Sequence, residues 1–155
     1  MEYSKQELKK ILDDHKLWEE SRGGCRADFT GKDLSNADFS DQFVDGASFE
    51  RANLTGANFS VASCASADFT GADFTGADLT RVTFSNAYCR GTNFSKVNLK
   101  RACLYRAKFI DANFKGADLK EAYVAEAVFK GSDLKGVDLS EVECEQADFT
   151  GAKMK

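Results

Sequence analysis

A period of five residues runs through almost the whole chain. It is clearest at residues 66–80, where SADFTGADFTGADLT contains successive copies of one phrase. The central residue of the phrase recurs every five positions from Phe29 to Met154 without an insertion, which gives 26 repeats. The centres are 12 Phe, 8 Leu, 3 Cys, 2 Val and 1 Met, and the residue two positions earlier is Ala 18 times. Such regularity predicts one structural unit stacked many times.

The period of five excludes a continuous strand or a continuous helix for these repeats. Within a repeat, an outward Asp or Asn usually stands between two apolar residues, which is the alternation of an extended segment. A continuous strand would turn its apolar face over at every repeat, because five is odd, and five does not match the 3.6 residues of a helical turn either. A turn after each centre, where Thr or Ser and then often Gly follow, would keep all centres on one axis.

Grouping the centres four repeats apart predicts the size of one coil. The centres 29, 49, 69, 89, 109, 129 and 149 read FFFCFFF, whereas 44, 64, 84, 104, 124 and 144 read VCFLVC. This separation favours a coil of twenty residues with four short sides, stacked as a solenoid. With about 4.8 Å between strands, a solenoid of about 6.5 coils is about 31 Å long.

The first residues predict a helix that covers one end of the solenoid. Ser4 and Glu7 have capping-box spacing, and Tyr3 and Leu8 have the spacing of a hydrophobic staple. An apolar stripe follows at helical spacing and comprises Leu8, Ile11, Leu12, His15 and Trp18. Gly23 and Gly24 supply a stop, so we predict a helix over about residues 5–21. Residues 1–25 are then the capping helix and junction, and residues 26–155 the repeat solenoid, as one structural unit.

The repeated phrase A-(D/N)-(L/F)-x-x over residues 27–154 resembles the pentapeptide repeat family. The resemblance implies an all-β solenoid, a right-handed quadrilateral β-helix whose centres stack inside. The segment HKLWEESRGGCRADF, residues 15–29, resembles the helix-to-repeat junction of bacterial members. Some members of this family mimic duplex DNA and bind DNA gyrase, which protects it against quinolones or toxins. The resemblance therefore implies a gyrase- or topoisomerase-binding protein as one alternative function.

Charge and composition limit the other functions. The net charge is −4, and the basic and acidic counts are 9 and 15 in residues 1–85 but 12 and 10 in residues 86–155. Direct nucleic-acid binding is not expected, since no basic stripe is present. The DNA mimics of the family are strongly acidic and dimerise through a carboxy-terminal extension that this sequence lacks, so it departs from them. The first twenty residues contain neither a signal peptide nor a membrane span, which favours the cytoplasm.

The sequence predicts no enzyme, no cofactor and no metal site. The five cysteines form no C-x-x-C pair, and the only histidine, His15, lies in the predicted cap. Catalysis would need a nucleophile, an acid–base pair or a metal cluster in a concave pocket. The acidic residues instead recur at repeat spacing on a convex surface. Cys64, Cys89 and Cys144 occupy centre positions and are predicted to be small core residues, whereas Cys103 occupies an outward position.

Candidate binding residues are those that break the outward pattern. Most outward positions keep Asp or Asn, which we interpret as structural because a short polar side chain can bond the neighbouring turn. An aromatic and cationic cluster departs from this on two adjacent faces and includes Tyr88, Arg90, Cys103, Tyr105, Arg106, Lys108, Ile110, Tyr123, Val128 and Lys130. Tyr and Arg are enriched at protein interfaces, so the cluster is a candidate protein-binding surface. The alternative is sequence drift on a tolerant solenoid surface, with stacked aromatics stabilising the sheet face.

Two further features complete the hypotheses. The last coil has no covering helix, so Lys153 and Met154 are candidates for an end-to-end homodimer contact. The alternative hypothesis is that the charges of Lys153 and Lys155 prevent edge pairing. Phe43 is the only phenylalanine outside the centre register, next to the unusual Gln42, and we expect it to pack against the cap or a neighbouring turn. The leading function is a structural or protein-interaction module with an unknown protein partner. A passive spacer is a third possibility.

Overall fold

The computed structural model describes residues 3–155, and these begin with one α-helix, α1, at Lys5–Glu19. The predicted capping box is present, since Glu7 N–H donates to Ser4 Oγ at 3.2 Å and Ser4 N–H donates to Glu7 Oε2 at 2.7 Å. The helix ends two residues earlier than predicted. The backbone N–H of Glu20 still bonds the helix, but Ser21 takes a φ of +54° and leads the chain out.

Beyond the helix the chain winds in coils of twenty residues. With one exception on face 3, the residue before a centre forms a parallel β-bridge with its equivalent twenty residues later, as Asp28 does with Ser48 and Ser48 with Asp68. Four five-residue repeats therefore separate bridge partners, as the grouping of centres predicted.

The bridge residues define four faces, which we number in chain order. Face 1 carries residues 28, 48, 68, 88, 108, 128 and 148, and face 2 carries residues 33, 53, 73, 93, 113, 133 and 153. Face 3 carries residues 38, 58, 78, 98 and 118, and face 4 carries Phe43, Ser63, Thr83, Cys103, Tyr123 and Glu143.

A turn at each corner holds the coil together. The carbonyl of a centre accepts a hydrogen bond from the N–H three residues later, for example Ala77 N–H to Phe74 O at 2.8 Å. The residue two after the centre takes a positive φ, +67° at Gly76 and +57° at Ser66, which is the geometry of a type II turn. Among the described corner residues only Glu141 lacks this positive φ. Glycine is therefore frequent at this position because it adopts a positive φ without steric strain.

The interior is a stack of the repeat centres. Phenylalanine rings four repeats apart lie nearly parallel, with centroids 4.9 Å apart for Phe49 and Phe69 and 4.5 Å apart for Phe39 and Phe59. Burying each such side chain contributes about 1.5–3 kcal/mol relative to exposure. Cys64 and Cys89 are fully buried in this stack, as predicted, and burial raises the pKa of both thiols well above the usual value.

Helix α1 packs on the first coil through only part of its apolar stripe. Leu8 and His15 are buried, and the Tyr3 ring meets the Phe29 ring edge-on at 6.0 Å. The N–H of Ala27 donates to Nδ1 of His15 at 3.0 Å, so the helix is tied to the first repeat by a side-chain acceptor. Trp18 stacks on His15 at 5.3 Å but remains 41% exposed.

The last coil is more open than the others. Its centres Leu139, Cys144, Phe149 and Met154 are partly buried or exposed, so the prediction that Cys144 is a core residue is wrong. No later coil covers it within the described residues. The ladder of face 3 also stops early, because residues 3–155 show no bridge between Asp118 and Asp138. A groove of about 340 Å³ lies there, lined by residues of both coils.

Candidate protein-binding surface

Faces 2 and 3 are ladders of Asp and Asn with a structural role. The Oδ1 of Asp73 accepts from Thr75 N–H at 2.9 Å, and the Oδ1 of Asn93 accepts from Ser95 N–H at 3.1 Å. The amide of Asn93 also donates to Asp73 Oδ1 at 3.1 Å across neighbouring coils. Similar bonds from N–H groups two residues later reach Asp78, Asn98, Asn113, Asp118, Asp133 and Asp138. The prediction that these side chains are structural is confirmed.

Face 4 has no Asp or Asn at any bridge position. Phe43 is 65% exposed at its start, so the expectation that it packs against the cap or a turn is wrong. The physical reason is the alternation of the extended segment, which turns the residue before a centre outward whatever its chemistry. Gln42 rather than Phe43 adapts to the helix, because it lines a cavity together with Leu8 and Leu12.

The tyrosines of the predicted cluster lie at or beside the edge between faces 4 and 1, in two separate groups of contacts. The rings of Tyr105 and Tyr123 are 6.1 Å apart and nearly parallel, and the Arg106 guanidinium lies 4.9 Å from the centre of the Tyr105 ring. The ammonium of Lys108 lies 4.9 Å from the Tyr88 ring, across one coil. Tyr88 and Tyr123 are 46% and 40% exposed. We call this group, with Arg90 and Ile110, the tyrosine corner.

Acidic residues accompany these cations, and sequence reasoning missed them. The carboxylate of Glu126 accepts from Arg106 Nε at 2.6 Å and from Tyr105 Oη at 3.1 Å. The Arg106 contact lowers the pKa of Glu126, while desolvation and then the Glu126 bond raise the pKa of Tyr105. Arg90 Nη2 lies 4.0 Å from Asp111 Oδ2. Glu126 stands twenty residues after Arg106, so the coil length itself was the signal that could have found it.

The other predicted members lie around the corner without such contacts between them. Ile110 and Val128 are partly buried, whereas Lys130 is exposed. Cys103 is partly buried on face 4, with its Sγ 3.5 Å from Ser85 Oγ. The structure thus joins Tyr105 and Tyr123 with Arg106 and, separately, Tyr88 with Lys108, and it leaves Cys103 and Lys130 at the margins. At the other end, Met154 is 45% exposed and Lys153 bridges to Asp133 on face 2.

An open cavity of about 640 Å³ lies where Trp18 covers the first two coils, and Glu19 and Asp45 line it. Asp45 already accepts hydrogen bonds from Ser63 Oγ at 2.6 Å and from Ala65 N–H at 2.8 Å. Burial, together with the nearby Asp45 charge, raises the pKa of Glu19. Residues 3–155 contain no group of three or more His, Cys, Asp or Glu side chains placed to hold a metal ion. Helix α1 is too short and too polar to cross a membrane, and the described chain has no other candidate span.

Comparison with known proteins agrees with this architecture. A family model described as pentapeptide repeats matches in eight copies within residues 33–155. The fold is similar to that of HetL, a pentapeptide repeat protein involved in heterocyst differentiation regulation in the cyanobacterium Nostoc sp. strain PCC 7120, with 19% identity, 83% of each chain covered and a TM-score of 0.50. QnrB1, a plasmid-mediated fluoroquinolone resistance protein, is 20% identical over 81% of this chain and 78% of its own, with a TM-score of 0.51.

A pentapeptide repeat protein from the Arabidopsis thaliana thylakoid lumen is 32% identical over 73% of this chain and 72% of its own, with a TM-score of 0.34. Curated protein sequences give no match. The likeness to HetL and QnrB1 shows a β-helical solenoid, and at this level of identity it carries the fold alone.

Proposed function

The chain belongs to the pentapeptide repeat family, and we propose that it is a non-enzymatic module that binds a protein partner through the tyrosine corner. The observation that carries this proposal is a set of ordered tyrosines with cations: Lys108 lies over the half-exposed Tyr88 ring, and Arg106 lies over the Tyr105 ring, which stacks on the half-exposed Tyr123. Aromatic and arginine side chains that are already ordered lose little conformational entropy on binding, which favours their use in interfaces. The single carboxylate of Glu126 holds Arg106 and Tyr105 in place, because each of its two oxygens accepts a hydrogen bond from one of them.

Affinity capture from the native host, with the whole chain as bait, tests this function. The test variant carries Tyr105→Ser and Arg106→Ser together, and the control carries Lys96→Ser, an exposed corner cation on the far side of the coil. We expect the double variant to lose a partner that wild type and control retain. Full retention of every partner by the double variant, with unchanged thermal stability, would contradict the proposal. Capture of no partner by any bait would favour the passive spacer.

We further infer that the last coil provides an end-to-end homodimer contact near Lys153 and Met154. The exposure of Cys144 and Met154 supports this, because centre residues that are buried elsewhere lie open there. Two-fold contacts between identical surfaces are the commonest closed assemblies. Light scattering at tens of micromolar tests it: we expect a dimer that Met154→Asp converts to a monomer. A monomeric wild type would exclude the dimer.

The second candidate is a DNA mimic that binds gyrase or another topoisomerase. Its support is the acidic character of residues 1–85 together with the regular carboxylates of faces 2 and 3. The tyrosine corner and the positive balance of residues 86–155 are unlike a uniformly acidic surface. A gyrase supercoiling assay with and without a quinolone decides between the two candidates. Neither inhibition nor protection by a tenfold excess of the protein would exclude the mimic.

The remaining assignments are part of the same proposal. We take the solenoid to comprise about 6.5 coils, with residues 1–25 as its cap and residues 26–155 as the repeat body. We place the protein in the cytoplasm, without cofactor or bound metal, and expect it not to bind nucleic acid directly.

A further inference from the structure

Face 4 carries exposed apolar side chains, whereas faces 2 and 3 are polar. We propose that face 4 docks a single amphipathic α-helix lying along the solenoid axis, with an acidic residue opposite Arg81. The inference rests on the proposed function, that the chain is a protein-binding module, and it names the partner's chemistry. It differs from that function in its location, because it uses the whole of face 4 from Phe43 to Tyr123 rather than the tyrosine corner alone.

The exposed apolar side chains of the described chain concentrate on this face. Six large hydrophobic side chains are exposed, and three of them, Phe43 at 65%, Val61 at 53% and Tyr123 at 40%, lie on face 4 or at its first corner. Trp18 reaches the opposite corner, where its ring would lie 3.5 Å from a Cβ at Gly46. Exposed apolar groups rimmed by polar residues mark binding surfaces more often than isolated ones do. Face 4 is therefore the apolar side of a rod whose faces 2 and 3 are polar.

An extended peptide is a poor occupant of this face. The backbone of face 4 is already paired between coils, as Val44 N–H donates to Ser63 O at 2.8 Å and Cys64 N–H to Thr83 O at 2.8 Å. A strand laid on the face would find side chains only and would leave its own backbone groups without partners there. A helix satisfies its backbone internally and needs only side-chain contacts. The paired ladder thus favours a helix.

The dimensions of the face match those of a single helix. Six bridge positions at about 4.8 Å span about 24 Å, and three extended residues make each side about 10 Å wide. The flat face therefore offers roughly 240 Å² of footprint, well below the roughly 800 Å² per partner of a stable interface, so a helix bound to this face alone makes a weak, transient contact. A helix is about 10 Å across, and about 16 of its residues span 24 Å, so one helix of four to five turns matches the face in both dimensions.

The charge of Arg81 predicts where an acidic residue of the partner helix lies along this face. Arg81 stands at the corner that leads into Thr83, stacked above Arg101, and it has no ion pair within 4.0 Å among residues 3–155, whereas Arg101 is paired with Glu121 at 2.7 Å. A partner carboxylate would pair with Arg81, which is the uncompensated one of these two stacked cations. Phe43 and Tyr123 are four coils apart, about 19 Å, or about 13 helical residues. The partner helix thus needs apolar residues about 13 positions apart, with an acidic residue about midway.

The test is a displayed library of peptides of about 18 residues with randomised apolar positions at helical spacing, selected on the full-length chain and then measured as purified peptides. We expect selected peptides to gain helical circular dichroism on binding. Phe43→Ser and Arg81→Ser should each weaken binding by at least about tenfold, as truncations at the centre of an interface do. The matched control is Lys96→Ser, because Lys96 and Arg81 are both exposed corner cations with φ of +58° and no ion pair in the described chain.

Each outcome decides the inference. Failure to select any peptide, selection of peptides that bind in an extended form, or equal loss with Lys96→Ser would overturn it, provided that the variants retain wild-type thermal stability. The proposed function fails separately. A host partner that the tyrosine-corner variant loses but the Phe43→Ser variant keeps would support the proposed function and contradict the docking of a helix on face 4. A captured partner that cross-links to face 4 through a non-helical segment has the same consequence.

Discussion

Because the coil corners require a positive φ, we expect substitutions at two equivalent corners, Gly76 and Ser66, to change the free energy of unfolding in opposite directions. Gly76 has a φ of +67°, and a Cβ built on it meets nothing within 4 Å. Gly76→Ala therefore tests backbone conformation without steric overlap. The left-handed conformation costs a residue with a Cβ about 1–2 kcal/mol, while the reduced freedom of the unfolded chain returns about 0.4–1 kcal/mol. The net expectation is a loss of about 0.5–1 kcal/mol in the free energy of unfolding.

Ser66 is the reciprocal position, with a φ of +57° and an exposed side chain that makes no hydrogen bond within the described residues. Ser66→Gly should raise the free energy of unfolding by a similar amount, because the same two contributions reverse their signs. Gly24→Ala should cost far more than Gly76→Ala, since its Cβ would overlap the Asp14 carbonyl oxygen and lie 2.9 Å from Leu17 Cβ.

Urea unfolding followed by circular dichroism measures these differences. With a urea slope of roughly 2 kcal/mol/M, the Gly76→Ala midpoint should fall by about 0.25–0.5 M and the Ser66→Gly midpoint should rise by a similar amount, at unchanged slope. The reasoning is refuted if Gly76→Ala is neutral or stabilising, or if both variants shift the midpoint in the same direction.

Three further predictions concern the cap, the core and the last coil. Burial lowers the pKa of His15, so the unfolded chain takes up a proton before the folded chain does as the pH falls through about 6.5, and the free energy of unfolding should decrease. His15→Gln keeps a hydrogen-bond acceptor for Ala27 N–H and should remove this pH dependence. Unfolding curves at about pH 7.5 and 5.5 measure the difference. Phe69→Ala should cost about 3–5 kcal/mol because Phe69 is fully buried, whereas Phe149→Ala in the open coil should cost clearly less, and equal costs in thermal unfolding would contradict this. Cys144 should react with a thiol reagent in the native protein while Cys64 reacts only on unfolding, and simultaneous labelling in a mass-spectrometric time course would contradict their placement.

Much of the fold could be predicted because the repeat encodes local geometry. The capping box at Ser4 and Glu7, the four repeats per coil and the burial of Cys64 are all confirmed. These depend on neighbours along the chain or at a fixed offset of twenty residues. The tyrosine corner, as a set of contacts, was only partly predictable: the sequence named the tyrosines and cations but not the carboxylates that hold them.

The two wrong predictions have different physical causes. Cys144 has the sequence environment of a core centre, but the coil that buries other centres does not follow it in the described chain. Phe43 was expected to be covered because large apolar side chains gain from burial, yet its position before a centre turns it outward. In the first case burial depends on the next coil, and in the second the alternation of the backbone prevails over the preference of one side chain.

The sequence by itself determined the coil, because a five-residue period with apolar centres admits a turn at every repeat and a stack of centres inside. The tertiary structure decided what the coils present outward. Residues twenty positions apart become neighbours only once the solenoid is wound, and that neighbourhood pairs Arg106 with Glu126 and places Lys108 over Tyr88. It also leaves Arg81 stacked above Arg101 and gathers Phe43, Val61 and Tyr123 along one side of the rod. Surface chemistry here is a property of stacked coils, which no single repeat specifies.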